Sequence, residues 1–242
     1  MNQTIQQLFD RKSVRVFTDR EITKEEKDLI LQSAVMAPTA GNQQLYTIID
    51  VTSQEIKDAL VKTCDNQPFI ASAKLVLIFC ADCKKWHDAF LAAGCEPRAP
   101  GVGDLTLAMS DAIIAAQNAV VAAESLGIGS CYIGDIMENC EEQRRLLGLP
   151  RYVFPACMIV FGYPTQQQKD RPKPRRSPMD SIVHENTYHE MDAAELEALL
   201  DIRVAEGNTY EKWIKAFCNR KYNSDFSREM TRSVEEYLKD FD

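Results

Sequence analysis

The run Leu75-Val76-Leu77-Ile78-Phe79 constrains this chain more than any other stretch. A strand with one wet face alternates apolar and polar side chains. An unbroken apolar run predicts a strand over 74–81 that is covered on both faces. Helical spacing elsewhere supplies the cover. Thr23-Lys24-Glu25-Glu26 has capping-box form and opens a helix to about Ala37, with Leu29, Ile30, Ala34 and Val35 on its apolar side and Pro38 beyond its end. Tyr46–Val51 reads as a strand. Thr52-Ser53-Gln54-Glu55 reads as a second capping box, opening a helix to about Thr63, and 82–93 reads as a further helix.

The longest periodic segment is 104–126, where Leu105, Ala108, Ala112, Ala115, Ala116, Ala119, Ala122 and Ala123 leave little bulk between backbones. That suits a central helix packed on several neighbours or across a dimer axis. Gly127 and Gly129 end it and lead into Cys131-Tyr132-Ile133-Gly134. A helix near 140–147 and a strand over 156–161 follow. Proline, glutamine and basic residues over 163–181 predict a surface loop or arm, and 192–206 and 226–241 are amphipathic helices. This order of elements favours an α+β or α/β sandwich with helices on both sheet faces. A length of 242 residues fits one large domain.

A net charge of -8 opposes binding to nucleic acid, and no basic run is long enough to offset it. Gln117, Asn118 and Glu124 interrupt the most apolar stretch, 112–134, which argues against a membrane span. No secretion signal opens the chain, and eight scattered cysteines suit reduced thiols in the cytoplasm. Cys80 and Cys83 form a lone C-x-x-C without a second pair. His184 and His189 are five apart, where a zincin needs four, so no metal site is expected.

Two basic clusters stand out in this acidic chain. Arg11, Ser13 and Arg15 occupy alternate positions after a first short helix, so an extended segment turns them to one side. Two guanidinium forks and a hydroxyl match the oxygens of a phosphomonoester. A solvated basic turn paired with Asp10 or Asp19 explains the same residues equally simply. Lys173-Pro174-Arg175-Arg176 is the second cluster, and together the two could hold an anionic cofactor. Thr39, Asn42 and Gln44, in the loop 37–44 between helix and strand, could bond a heterocycle or simply shape the turn.

In order and spacing these segments resemble the nitroreductase superfamily of FMN-dependent NAD(P)H oxidoreductases, in its larger, NADPH-type nitro/flavin reductase branch. The anchors are Arg11-Lys12-Ser13-Val14-Arg15-Val16-Phe17, the loop 37–44, Gln67, 122–127 leading to Tyr132-Ile133-Gly134, Lys173-Pro174-Arg175, and His184-Glu185-Asn186-Thr187-Tyr188. The resemblance implies an α+β, nitroreductase-like sandwich with a central, mostly antiparallel sheet, in a single domain over 1–242 with an arm near 163–190 and C-terminal helices over 192–242. It implies an intertwined homodimer with FMN at the subunit interface.

By the same resemblance Arg11, Lys12, Ser13, Arg15, Lys173 and Arg175 hold the phosphate and ribityl chain, and Gln67 contacts the ring. Pro38, Thr39, Ala40 and Asn42 reach the flavin of the partner subunit. Tyr132, Ile133, Gly134 and Asp135 line the ring, with a backbone N–H near Gly134 directed at N5. NADPH or NADH is the implied donor, and nitroaromatics, quinones or flavins are the implied acceptors in a ping-pong reaction. A specialised ene or dehalogenating reductase and a non-catalytic flavin sensor are the alternatives. Two departures stand out. Gly207–Lys212 carries one Lys and one Glu where the branch places basic residues, and Asp135 replaces a typical glycine, setting a carboxylate at the flavin edge.

Overall fold

In the computed structural model, which describes residues 1–242, every residue of β2 (Leu75–Asp82) is buried. Leu75, Leu77, Phe79 and Ala81 enter one core, and Val76, Ile78 and Cys80 enter another on the opposite face. The doubly covered strand is therefore present, one residue offset from expectation. β2 lies inside an antiparallel sheet of order β1-β2-β4-β3, with β1 Tyr46–Asp50, β3 Gly129–Ile133 and β4 Val153–Gly162. The α+β alternative holds and the α/β one does not, since no strand pair is parallel.

The first core takes Ile30 and Ala34 from α2 (Lys24–Val35) and the alanine face of α6 (Val102–Ser125). The second takes Leu60 from α3 (Gln54–Thr63) and Ile70 from α4 (Phe69–Ser72), a short helix not foreseen. Each fully buried Leu, Ile or Phe here contributes about 1.5–3 kcal/mol. α6 is long and apolar enough to cross a membrane by length and composition, so its polar residues interrupt it less than expected. Of its nine buried residues six are alanine, and the helix packs against α2 and the sheet.

Several boundaries moved for identifiable reasons. α5 (Lys84–Ala92) starts late because Asp82 stays in the strand and accepts hydrogen bonds from the Lys84 and Lys85 amides at 3.0 and 3.2 Å. β4 starts early because a bulge at Ala156 lets the strand continue past Pro155, which lacks a ladder donor. The Thr23–Glu26 capping box is complete, whereas α3 is capped by Ser53 alone. α7 (Cys140–Leu147) matches the expected bounds.

The N-terminal segment is seated by two glycines. α1 (Gln3–Asp10) releases an extended stretch in which Ser13 bridges Ser130 and Phe17 bridges Pro164. Gly129 and Gly162 face each other across the β3–β4 ladder. A Cβ at Gly129 would lie 2.6 Å from Val14 Cγ2, and one at Gly162 would lie 2.6 Å from Phe17 Cδ1. Val14 and Phe17 occupy the space that side chains would fill. The expected arm also begins as anchored chain. Tyr163 is buried and donates to Glu26, and α8 (Gln166–Asp170) is tied back to the N-terminal segment.

The chain divides into two units, 1–171 with 229–242, and 172–228. The second unit contains α9 (Ala193–Asp201) and α10 (Tyr210–Lys221), the latter unforeseen, and the start of α11 (Asp225–Leu238). The part of α11 in the first unit buries Tyr237 edge-on to Phe154, with centroids 4.9 Å apart.

Gly129→Ala is expected to destabilise the protein by about 1–3 kcal/mol, since neither Val14 nor the ladder can retreat. Gly103→Ala, at a helical position with nothing within 4 Å, serves as a neutral or stabilising control. Urea unfolding of both variants measures the difference; equal stability would show that the close approach is not required.

Candidate functional site

The alternation expected of residues 11–15 is realised. Val14 turns inward and is 4% exposed, which sends Ser13 and Arg15 to the other side. Three bonds hold the backbone in this form: the Val14 amide donates to Ser130 O at 2.9 Å, the Arg15 amide to Gln168 Oε1 at 3.2 Å, and Arg171 Nη2 to Ser13 O at 2.6 Å. Lys12 donates from its ammonium to the carbonyls of Lys169 and Arg171, so its charge is spent on chain-to-chain clamping. Arg171 and Gln168 were missed from sequence. Their role appears only when α8 folds back 150 residues later, and no spacing signals that.

Arg11, Ser13 and Arg15 converge on Cys131 of β3. Burial pushes the Cys131 thiol up, while Arg15, Ser13 and Arg11 around it act in the opposite sense. Arg11 stands 5.9 Å over the Tyr132 ring and Arg15 5.8 Å over that of Phe69. Arg11 Nε and Nη2 are shielded from solvent and have no hydrogen-bond partner. Buried guanidinium donors left open are costly unless an anion completes them. Of the solvated-turn alternative, the pairing is absent: neither Asp10 nor Asp19 pairs with the arginines, and Asp10 accepts from Gln6 at 3.0 Å, while Arg15 is exposed.

Past Phe69 the site continues to Gln67. The left-handed residues Asp65 and Asn66 (φ 56° and 52°) turn the chain after α3. Gln67 Nε2 then donates to Cys64 O at 2.9 Å and to Asp135 Oδ2 at 2.8 Å. Asp135 opens the single 3₁₀ turn Asp135–Met137 that follows β3 through Ile133 and Gly134. Gln67, Tyr132, Ile133, Gly134 and Asp135 thus form one neighbourhood, next along β3 from the arginines. Glu138 closes the turn by donating its amide to Asp135 O at 3.0 Å. It was missed because nothing in the sequence marks a glutamate there as buried, yet it is only 4% exposed. Burial first, then the charge of Asp135, pushes its carboxyl up to about 8.

The loop 38–44 is organised separately. Asp111, buried on α6, accepts from the Thr39 hydroxyl, from the Ala40 amide at 3.0 Å and from the Leu45 amide at 3.1 Å. The Thr39 oxygen in turn accepts from the Gln44 amide at 2.8 Å. Thr39 is thereby committed to shaping the turn, the structural one of the two roles open to it. Asn42 sits in a left-handed conformation at φ 57°. Gln44 donates to Val35 O at 3.2 Å. None of these bonds runs to the arginine cluster.

Lys173 and Arg175 lie in the second unit, in irregular chain. Cys80 and Cys83 are buried, and burial pushes each thiol up to about 12, so both are neutral thiols near pH 7. In the second unit His189 bonds His184 through its amide at 3.0 Å and Glu195 through its ring at 3.0 Å.

Comparison with known proteins gives a consistent result. The Nitroreductase family profile matches residues 8–163. The chain is 31% identical over 246 residues to the FMN reductase [NAD(P)H] of Bacillus subtilis (strain 168), covering 98% of this chain and 91% of that protein. It is 33% identical over 207 residues to the oxygen-insensitive NADPH nitroreductase of Salmonella typhimurium, covering 85% and 82% respectively. Among solved structures, the NADPH:FMN oxidoreductase from Vibrio harveyi complexed with NAD+ superposes with a TM-score of 0.82 at 26% identity, over 98% of both chains.

Two outcomes are expected from this geometry. Asp111→Ala strands buried amide donors at about 1–3 kcal/mol each, so hydrogen exchange at the Ala40 and Leu45 amides should accelerate while β2 stays protected. For Glu138, the folded value of about 8 lies above that of an unfolded glutamate, so the stability it contributes is complete in acid and is lost as pH rises through about 8. Glu138→Gln should remove that alkaline loss. Unfolding free energies at about pH 6 and about pH 9 should then differ by less in the variant; an unchanged difference would place Glu138 among ordinary surface glutamates.

Proposed function

The chain belongs to the Nitroreductase family, and on that premise we propose that it is an FMN-dependent oxidoreductase that takes electrons from NADPH or NADH. Nitroaromatic, quinone or flavin acceptors receive them in a second half-reaction. One observation carries the reading: the shielded, unpartnered Nε and Nη2 of Arg11 stand beside Ser13 and Arg15. A terminal phosphate fits that arrangement, because its charge and oxygens complete donors that the protein itself leaves open.

FMN supplies the hydride chemistry when bound, and the protein supplies placement and electrostatics. Arg11, Ser13 and Arg15 hold the phosphate. Lys12 and Arg171 fix the backbone that carries them. Tyr132, Ile133 and Gly134 would line the ring, and the main chain near Gly134 would offer it an N–H donor. Gln67 and Asp135, already bonded to each other, set the polar edge of the ring site. No side-chain nucleophile is required. The high thiol values of Cys64, Cys80, Cys83 and Cys157, each about 12, agree with that.

The protein acts as a homodimer in the cytoplasm, with the loop 38–42 serving the flavin of the other subunit. Exposed Leu107, Ile113 and Ile114 on α6, with Val35 and Met36 at the end of α2, support such a contact. Asp111 shapes the loop without help from the arginine cluster, as a loop offered to another subunit requires.

Anaerobic mixing of the purified flavoprotein with NADPH or NADH should bleach the flavin absorbance; a flavin that stays oxidised with both would leave a binding protein without turnover. Arg11→Ala and Arg15→Ala should each weaken FMN by about 10- to 100-fold, the loss of a charge-assisted bond of about 1.5–3 kcal/mol. Riboflavin, which lacks the phosphate, should bind all three proteins alike. Fluorescence titration reads both ligands, and equal losses for FMN and riboflavin would contradict the phosphate assignment.

A further inference from the structure

Glu138 has no place in the function described above. It is buried to 4% exposure, and its Oε1 has no hydrogen-bond partner. It sits on the same tight turn as Asp135, whose other contact is the Gln67 amide at 2.8 Å. The groups acting on it most strongly are Asp135 on its own turn, Asp65 at the exit of α3, and Glu229 on α11, all acidic. Cys64, at the end of α3, feels both Asp135 and Glu138. Glu229 stays ionised because Arg232 binds it at 2.7 Å and Ser233 at 2.8 Å, and this lowers its own value. Two carboxyl groups in such surroundings are far better accommodated as an acid and its conjugate base than as two anions. The unpartnered Oε1 is explained if a proton on Glu138 is donated to Asp135.

We infer that Glu138, paired with Asp135 on one turn, holds a proton at the flavin edge and binds it more tightly when negative charge arrives on the ring. The inference rests on the reading that residues 132–135 line that ring. When two electrons enter the ring, the pair can offset the new charge by taking one proton from water. An O–H bond forms on a Glu138 carboxylate oxygen, and no electrons come from the pair. The same bond breaks when the electrons leave for the acceptor, so a proton is released beside a product that needs one. Glu138 acts here through Asp135 and is a positioning residue.

The pair carries its proton in both redox states well below about pH 8, so coupling emerges above that value. The test is the midpoint potential of the bound flavin, followed spectroscopically from neutral to alkaline pH in wild type, Glu138→Gln and Asp135→Asn. Above about pH 8 the wild-type potential should fall more steeply than that of Glu138→Gln by one proton per two electrons, about 30 mV per tenfold change in proton concentration. Below it the two should run parallel.

Infrared titration of the same proteins should show a protonated carboxyl near neutral pH that is absent in Glu138→Gln. In Asp135→Asn the band should ionise at lower pH, because the neighbouring negative charge is gone. A merely structural Glu138 would alter stability and leave the potential slopes equal. Equal slopes in a protein that binds FMN, or no protonated carboxyl near neutrality, overturn the inference and leave the functional reading standing. A wild-type protein that binds no FMN overturns both.

Discussion

The close approach of residues 13–17 to the β3–β4 ladder is the constraint on which the rest depends. Because Gly129 and Gly162 are paired across that ladder, the sheet offers two adjacent vacancies, and Val14 and Phe17 fill them. Seating Val14 fixes the alternation, so Ser13 and Arg15 must point to the opposite side, near Cys131. The segment contributes few backbone bonds of its own. Lys12, Arg171 and Gln168 therefore carry much of the work of holding it, and they tie the N-terminus to chain that follows β4. An anion site made this way is pre-formed by apolar packing, which lowers the ordering cost of binding.

Charge is handled differently at the two ends of the site. At the arginine end the protein leaves buried donors open, a state that an anionic ligand completes. At the other end it gathers carboxylates: Asp135 is bridged by Gln67, and Glu138 is kept neutral by burial and by its acidic neighbours. A ligand with a phosphate at one end and an electron-accepting ring at the other matches this polarity. On the reading proposed above, positive charge would anchor the tail and a protonated acid would stand where negative charge develops.

Much of this was legible in the sequence, for reasons specific to each residue. The apolar run in β2 could only be a doubly covered strand, and the period of α6 and the capping box of α2 marked the helices that cover it. Arg11, Ser13 and Arg15 were legible as a cluster, but spacing alone did not separate an anion site from a wet turn. What favours the anion reading is the shielding of Arg11 Nε and Nη2, beside a segment seated by Val14 meeting Gly129 more than 100 residues away. Asp111, Gln168, Arg171 and Glu138 were not legible. Each is a common polar residue on an ordinary helix or turn, made functional only by a partner distant in sequence or by enclosure. α4 was missed because it is a single turn, whereas α10 was legible, since Tyr210, Trp213, Ile214 and Phe217 stand at helical spacing, yet went unread.

Asp111 shows how the fold separates shaping a loop from using it. Its carboxylate satisfies the Ala40 and Leu45 amides and the Thr39 hydroxyl, all within the segment that leaves α2 for β1. A carboxylate that accepts several such bonds is stable in the interior because each bond replaces one lost to water. The Thr39 side chain is thus consumed internally, and the exposed residues of the loop are Pro38 and the left-handed Gly41–Asn42 corner. On the reading proposed above, the loop would serve the ring of another subunit, while the arginine cluster, seated independently, would hold the phosphate.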